Sequence, residues 1–482
     1  MRIQKLLTTL FGLATTVSCA LTLDLDSPAS VNNAVALVAQ GMLDYYDGFR
    51  FGGTIGMFVQ PYYWWHAGAA WNAMIEYWHI TGNSSLNDIT YEALLHQRGE
   101  RYDLMVFNFS SSEGNDDQGV WGMTMMTAAE RNFTAPTDEY GWLYVAQGAF
   151  NTMAARWDDI CGGGLHWQIY QWNSGYSYKN AIANGALFNI GARLYRFTGN
   201  ETYLEWCEKI WDWAAAVDLV TVDYEVYDGI QTGSDNVPNC TNRTPYIWTY
   251  NSGIFMHGAA ALYNGTLLRN ATGSEKWGQR VRGIFDTATS PLHFFGGPDG
   301  NIMREIACQQ ETITCDADQR TFKGIYSSLL GQTAQLMPEL APAIMSYLVP
   351  SAYAGARTCS GGTDGHTCSL DWLTGTYDVE YIGLGEQLSV LGAILNTQIM
   401  SSTGPLADIT GGDSKGNGSA GAVYESPFAN TIAAPLNIGP GDRAGAGIIT
   451  AVVCLVLIGS GWWLLTDGMY KGFKIKRRGG SD

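Results

Sequence analysis

Asn180-Ala-Ile-Ala-Asn-Gly-Ala-Leu-Phe-Asn-Ile-Gly-Ala-Arg-Leu-Tyr-Arg-Phe197, running into Thr198-Gly-Asn-Glu-Thr-Tyr203, reads as a helix rich in small residues, a Thr-Gly turn, and the start of an amphipathic helix that opens on an aromatic side chain. The unit recurs. Residues 67–80 run into Thr81-Gly-Asn-Ser-Ser-Leu86, and residues 252–269 into Ala271-Thr-Gly-Ser-Glu-Lys-Trp277. Residues 122–131 followed by 137–156 form a degenerate copy, and 324–336 and 384–399 read as later members. Repeated helical pairs stack side by side, and Gly and Ala on the first helix of each pair permit close packing around a common axis. The irregular stretches 158–179, 223–250 and 304–322 suit loops gathered on one face. Residues 21–402 are therefore expected to form an all-α (α/α)6 barrel, a toroid of six helical hairpins, with an open solenoid as the alternative.

The ends differ from this body. Arg2 and Lys5, an apolar run, and the small residues Ser18 and Ala20 give residues 1–20 the pattern of a secretory signal peptide. Residues 403–443 shift to Gly, Ser, Ala, Asn and Pro and read as a flexible stalk. Residues 444–465 carry no charge, and about 20 apolar residues suffice to span a bilayer. Lys471, Lys474, Lys476, Arg477 and Arg478 follow in the tail 466–482, which the positive-inside rule places in the cytosol. A glycosylphosphatidylinositol (GPI) signal is the competing reading, because small residues and a polar spacer precede the apolar stretch. Both readings tether an extracytoplasmic domain on the route to the plasma membrane or cell wall.

Sequons at Asn83, Asn108, Asn132, Asn200, Asn239, Asn242, Asn264, Asn270 and Asn417 agree with secretion and mark candidate glycosylation sites. With Cys19 and Cys454 assigned to the ends, the remaining cysteines are odd in number. Cys308 and Cys315, like Cys359 and Cys368, stand close enough in sequence to clip loops. Cys161 is paired with Cys240, which leaves Cys207 as a buried thiol. The net charge of −18 excludes nucleic acid as a partner. The 17 Trp and 26 Tyr offer faces for sugar rings, or fill the core. None of the seven His has metal-ligand spacing, and neither a metal nor a cofactor is expected. His66 and His257 read as packed core histidines.

Asn115-Asp116-Asp117-Gln118 precedes a helix expected to start near Gly119. Glycosidic hydrolysis uses one protonated and one ionised carboxyl group, about 5 Å apart for retention and roughly 6.5–9.5 Å for inversion. Adjacent residues can meet the shorter spacing. The helix dipole favours ionisation of one acid, and like-charge repulsion keeps a proton on the other. The plainer reading of an Asp at this point is an N-cap.

Asn115-Asp116-Asp117-Gln118 with Trp121 resembles the Asp-Asp motif of glycoside hydrolase family 76, the endo-α-1,6-mannanases. Cys161-Gly-Gly-Gly-Leu-His-Trp167-Gln168 is similar to that family's Gly-rich loop, Tyr178-Lys-Asn-Ala-Ile-Ala-Asn-Gly185 to its Lys-Asn helix start, and Thr249-Tyr-Asn-Ser-Gly253 to its Thr-Tyr-Asn-x-Gly segment. The resemblance spans most of residues 25–400 and is strongest to the fungal cell-wall members of the defective-cell-wall and filamentous-growth type. It implies an (α/α)6 barrel and a retaining glycosidase acting on α-1,6-mannosidic linkages, with Asp116 as nucleophile and Asp117 as acid/base. It also implies action on the mannose core of GPI anchors, with transfer to β-glucan as one outcome; the domain is expected to be a monomer. A non-catalytic glycan-binding surface protein on the same fold is the alternative, and an inverting or uronate-acting barrel is a further one.

Other residues of these motifs have physical readings of their own. Gly163 and Gly164 let backbone approach a ring and Trp167 offers a stacking face, or they make a tight turn with a core Trp. Asn180 and Asn184 lie four apart on one helical face and can bind hydroxyls or cap the helix. Lys179 near Asp116 would keep the nucleophile ionised, or it is a solvated surface lysine, the default expectation. Tyr250 and Asn251 open the next inner helix on the same face. Asp228 and the pair Asp158-Asp159 are candidates for binding hydroxyls, or turn residues beside Gly.

Overall fold

A computed structural model describes residues 20–109, 111–137, 140–234, 237–291, 293–421 and 440–476. The signal segment expected over residues 1–20 lies outside them except for its last residue, as do Arg477 and Arg478 of the basic tail. Among the described residues of the main unit, twelve α-helices follow one another. They are α1 (Pro28–Leu43), α2 (Trp64–Thr81), α3 (Asn87–Gln97), α4 (Asn115–Glu130), α5 (Trp142–Ala154), α6 (Ala181–Thr198), α7 (Glu201–Ala216), α8 (Thr249–Leu268), α9 (Ser274–Ala288), α10 (Gln319–Leu336), α11 (Ala341–Arg357) and α12 (Leu384–Thr397). Each even-numbered helix packs on the next, and α12 packs back on α2. That closure selects the ring over the open solenoid. The odd-numbered helices cover its outside: α3 on α2, α5 on α4 and α6, α7 on α6, α9 on α8, α11 on α10 and α12, and α1 on α12 and α2.

Small residues set how closely the inner helices approach. A Cβ added to Gly392 of α12 would stand 2.8 Å from the carbonyl oxygen of Gly324 on α10, so the two backbones touch. The Thr-Gly turns have an equally local cause. Thr81 and Thr198 donate their hydroxyls to the carbonyls of Tyr77 and Leu194, and accept the N–H groups of Asn83 and Asn200. Gly82 and Gly199 then take left-handed φ values of +72° and +70° and end the helices as C-caps. These turns join the C-terminus of an inner helix to the next outer helix. The long segments instead lead from an outer helix into the N-terminus of an inner one, which collects them at the opposite end of the ring.

The segment expected as an irregular loop over 223–250 is a hairpin, so the fold is mostly rather than wholly helical. β2 (Tyr227–Ser234) and β3 (Val237–Ile247) pair antiparallel, and β1 (Tyr178–Asn180) adds to β2 with Lys179 opposite Ile230. Gly229, Gly233 and Pro238 dilute the strand signal in the sequence. A smaller pair, β4 (Phe295–Gly296) and β5 (Ile302–Met303), lies between α9 and α10. Disulfides join Cys161 to Cys240, Cys308 to Cys315 and Cys359 to Cys368, while Cys207 is a buried free thiol. Among the sequons, Asn83, Asn108, Asn200, Asn242, Asn270 and Asn417 are exposed. Asn132 and Asn264 are half-buried with their amides hydrogen-bonded, and the Asn239 side chain lies outside the described residues.

The first part of the expected stalk is not free chain. Residues 403–421 lie across the short-turn end of the ring, where the carbonyl of Thr403 accepts from His79 and Arg131 and those of Pro405 and Leu406 from Arg196. The Leu406 N–H donates to Glu130, Arg269 pairs with Asp408, and Asn132 and Asn151 donate to the carbonyls of Gly411, Gly418 and Ala420. A Gly- and Ser-rich composition reads as flexible because it buries little apolar surface, yet its backbone carbonyls are good acceptors for arginines at helix ends. Residues 422–439 lie outside the described set. A second unit holds α13 (Pro440–Lys476), with exposed apolar side chains from Ile448 to Trp463. Among the described residues no helix is long and apolar enough to cross a membrane, and in the expected span 444–465 the side chains of Ala446, Leu464 and Leu465 lie outside that set.

Ending the chain at residue 402 instead of 421 strips Arg131, Arg196 and Arg269 of these acceptors. A buried donor left unsatisfied costs about 1–3 kcal/mol, so the shorter form is expected to melt several degrees lower by scanning calorimetry. Equal melting temperatures would show that the strap adds nothing.

Candidate active site

Asp116 and Asp117 occupy the first turn of α4, which begins at Asn115 rather than near Gly119. The N-cap is Gly114, so neither aspartate is the cap the sequence suggested. Asp117 reaches back to accept the Gly114 N–H at 2.6 Å, the acidic half of a capping box. Asp116 accepts the N–H of Asp117 at 3.0 Å and a hydrogen bond from the indole of Trp167. Both carboxyls are half-buried at the loop end of the ring. Burial raises both: Asp116 well above the usual carboxylate range, with the Asp117 charge adding to it, and Asp117 to about 6 against the Gly114 N–H. The helix dipole favours ionisation here, but desolvation outweighs it.

The dyad is seated by the Gly-rich loop. The Asn115 N–H donates to the Trp167 carbonyl at 2.8 Å and its amide to the His166 carbonyl at 2.8 Å, while Arg156 donates to its oxygen at 2.7 Å. That loop is held by Lys179. Expected beside Asp116, Lys179 is instead fully buried, with its ammonium 2.5 Å from Asp158 and donating to the carbonyls of Ile160, Gly163 and Gly164 at 2.7–2.9 Å. Burial pulls its pKa down, and Asp158 opposes that pull. Burial also pulls Asp158 up, but His166 at 2.6 Å and Lys179 outweigh it and hold its carboxyl below the ordinary range. Asp158 is therefore committed to this lock and not open to a sugar.

Several other expected sugar contacts are packing groups. Gly163 and Gly164 have φ of +145° and +97°, and a Cβ on Gly164 would meet the Trp213 indole at 2.3 Å, so the ring the backbone approaches is a tryptophan. Asn180 caps α6, accepting from Ala183. Asn184 exchanges hydrogen bonds with the backbone of Leu165 and donates to Asn180. Trp121 is fully buried, donates to the Trp64 carbonyl at 2.9 Å and lies against Gly68. Asn251 is buried at the start of α8, with no hydrogen-bond partner for its amide among the described residues. His66 and His257 are both buried and held neutral chiefly by burial.

Trp167, Asp228 and Tyr250 do gather around the dyad. Tyr250 stacks on Phe322 at 3.8 Å, and burial raises its hydroxyl pKa with help from the charges of Asp228, Asp116, Asp318 and Glu305, which places it among all four acids. Asp228, on β2, accepts from the Tyr178 hydroxyl at 2.5 Å and from the Trp248 indole; burial nonetheless keeps its pKa raised. Asp318 was missed by the sequence reading. Its pKa is pushed up to about 7 by burial, then by Asp316 and Asp117, against a hydrogen bond from Trp65. The signal was present: an Asp-Gln dipeptide stands at the N-terminus of each helix, Asp318-Gln319 at α10 and Asp117-Gln118 in the first turn of α4. A narrow cavity continues down the barrel axis, with Tyr250 in its wall and Glu76, Arg193 and Asn396 towards the base; neither Asp116 nor Asp117 lines it.

A closed ring of helical hairpins with coupled carboxyl groups in an aromatic bowl defines a glycoside hydrolase of the (α/α)6 class. The family model for glycosyl hydrolase family 76 matches residues 30–408, and the chain belongs to that family. It is 48% identical over 457 residues to mannan endo-1,6-alpha-mannosidase DCW1 of Saccharomyces cerevisiae, covering 94% of this chain and 97% of that one. Among solved structures, Dfg5 from Chaetomium thermophilum in complex with glucosamine superposes with a TM-score of 0.78 at 35% identity, over 85% of this chain and 99% of that one. An inactive variant of the α-1,6-mannanase GH76A of Salegentibacter, in complex with α-1,6-mannotriose, shares the fold at a TM-score of 0.60 and 18% identity, over 77% of this chain and 99% of that one.

Lys179→Met leaves Asp158 and three carbonyls without their cation. Breaking such a pair costs about 3–5 kcal/mol, so denaturant unfolding is expected to show a large stability loss, while any activity that remains keeps its pH dependence. A shifted pH profile at unchanged stability would return Lys179 to the dyad.

Proposed function

We propose that this protein is a retaining glycosidase acting on α-1,6-mannosidic linkages, with Asp116 attacking the anomeric carbon and Asp117 delivering and then recovering the proton. The observation that carries the reading is the adjacent, electrostatically coupled Asp116-Asp117 pair at the N-terminus of α4, inside a bowl walled by Trp65, Trp167, Trp248 and Tyr250. Two carboxyls that repel one another share one proton over a wide pH range. That state supplies one ionised and one protonated carboxyl, as retention requires. Before substrate binds, the proton rests on Asp116, whose pKa is the higher of the two, so the assigned roles require bound substrate to shift it to Asp117.

The natural substrate on this reading is the mannose core of GPI-anchored wall proteins, with hydrolysis or transfer to a β-glucan decided by which hydroxyl reaches the mannosyl-enzyme. The similarity to DCW1 and to Dfg5 supports it, and the acidic bowl suits a core that carries an amino sugar. The domain is proposed to act outside the cytoplasm, tethered through residues 444–465. Three disulfides and the exposed sequons support that placement. Resistance to alkaline carbonate extraction together with resistance to phosphatidylinositol-specific phospholipase C is the outcome a retained span produces. Release by the lipase would identify a GPI anchor instead.

Asp116→Asn and Asp117→Asn are each expected to lower kcat on α-1,6-mannotetraose by about 10³-fold or more, with the α-anomer released first by the unmodified protein. Trapping with a 2-deoxy-2-fluoromannosyl fluoride should label Asp116, whereas label on Asp117 would exchange the roles. Because the first proton leaves the pair near the Asp117 value of about 6, the one-proton form is lost as pH falls through that value. kcat/KM is therefore expected to drop about tenfold per pH unit below it. A flat acid limb from pH 4 to 7 would contradict this coupling.

A further inference from the structure

The N-cap of an inner helix normally spends its carboxylate on its own helix, accepting an N–H from the first turn. Asp318 does not. It is the N-cap residue of α10, yet its side chain makes no capping hydrogen bond. Asp316 takes that duty, accepting the N–H groups of Asp318 at 2.9 Å and Gln319 at 3.4 Å. The Asp318 carboxylate is turned towards α2, where the Trp65 indole donates to it and His66 Nε2 lies 3.3 Å from Oδ1. The imidazole tautomer follows from its other nitrogen. His66 Nδ1 accepts the Tyr63 N–H at 3.0 Å, so the ring proton sits on Nε2 and is given to the Ala317 carbonyl, 3.3 Å away. Asp318 Oδ1, although near, is buried with no hydrogen-bond partner among the described residues.

Position within the ring gives this arrangement its meaning. In the order α2, α4, α6, α8, α10, α12, the helix facing α4 across the axis is α10. Asp318 therefore stands opposite the dyad, still close enough for its charge and that of Asp117 to act on one another. Asp228 occupies the flank beside α6 and α8 and is held in the same manner by two aromatic donors, the Tyr178 hydroxyl and the Trp248 indole. Side-chain exposure of 38% leaves Asp318 open to the bowl, with Tyr250 between the acids. Arg320, the nearest cation in sequence, is turned away to Glu386 at 3.5 Å and to the Tyr381 ring. Two carboxylates that are held by aromatic donors on either side of Tyr250 and make no ion pair with a lysine or arginine among the described residues are acceptors awaiting donors, and the hydroxyls of a hexose seated on the dyad are such donors.

We propose that Asp318 is a sugar-binding residue, the counterpart of Asp228 on the far side of the dyad, oriented by Trp65 to accept hydrogen bonds from hydroxyls of the bound mannoside. The proposal rests on the mannosidase reading above and adds a specificity-determining contact to it. Its pKa, raised to about 7, agrees with a group that has lost water and awaits a donor.

The test uses the full chain in detergent. Asp318→Asn keeps the shape and removes the charge, and is expected to raise KM for α-1,6-mannotetraose at least tenfold with kcat within threefold and an unchanged melting temperature. Trp65→Phe removes the orienting donor without touching Asp318, and is expected to move KM in the same direction by a smaller factor. Titration calorimetry separates the two readings. If the Asp116→Asn, Asp117→Asn double variant binds α-1,6-mannotriose and the added Asp318→Asn change weakens that binding tenfold, the proposal stands. Equal binding by the double and triple variants overturns the Asp318 contact and leaves the mannosidase reading intact. No binding by the double variant, with no turnover by the unmodified chain, overturns the mannosidase reading and the contact built on it. A fall in kcat at constant KM overturns the contact by assigning Asp318 to the chemistry of the dyad.

Discussion

The buried ammonium of Lys179 is the constraint on which the site depends. One cation at the start of α6 gathers the carbonyls of Ile160, Gly163 and Gly164 and the carboxylate of Asp158. A charge with no access to water is tolerated because each of its donors is matched, and the low dielectric makes those bonds strong. The loop so folded presents the backbone of His166 and Trp167 to Asn115, which fixes the first turn of α4 and with it the dyad. The Cys161–Cys240 disulfide ties the same loop to β3, whose partner β2 carries Asp228. One lock thereby sets two sides of the bowl.

The bowl is built by removing water from carboxylates without supplying cations. Asp116, Asp117, Asp228 and Asp318 all have raised pKa values, and burial is the leading cause for each. The partners offered to them are neutral: backbone N–H groups and tyrosine and tryptophan donors. Neutral donors orient a carboxylate without fixing its charge, so the protonation state stays free to change during the reaction. The basic groups are spent elsewhere. Arg131 and Arg193 pair with Glu76 and Glu130 at the opposite end of the ring, where the strap 403–421 crosses.

Much of this was legible in the chain. Thr81-Gly-Asn83 and Thr198-Gly-Asn200 announce helix ends because the signal is local: a hydroxyl, a residue free to take positive φ, and an N–H two positions on. Asp116-Asp117 was legible as a pair of interacting acids because adjacency in sequence forces adjacency in space. The β2–β3 hairpin was not legible, since its glycines and proline mask the alternation and its partner β1 lies some fifty residues away. The strap was misread because composition reports what a segment cannot bury, and is silent about the arginines waiting for its carbonyls.

Residue type alone could not separate binding groups from structural ones. Lys179, Asn180, Asn184, Gly163 and Gly164 stand beside the dyad in the motifs, and in space they support it from behind. Asp318 is some two hundred residues distant in sequence and faces it. The sequence by itself determined the helical repeat, the three disulfide pairs and the adjacency of Asp116 and Asp117, because each is written in near neighbours or in composition. Only the tertiary structure decided which polar side chains meet the bowl and which hold it up, because that depends on ring closure, which brings the N-termini of α4 and α10 to opposite sides of one axis and turns Lys179 inward.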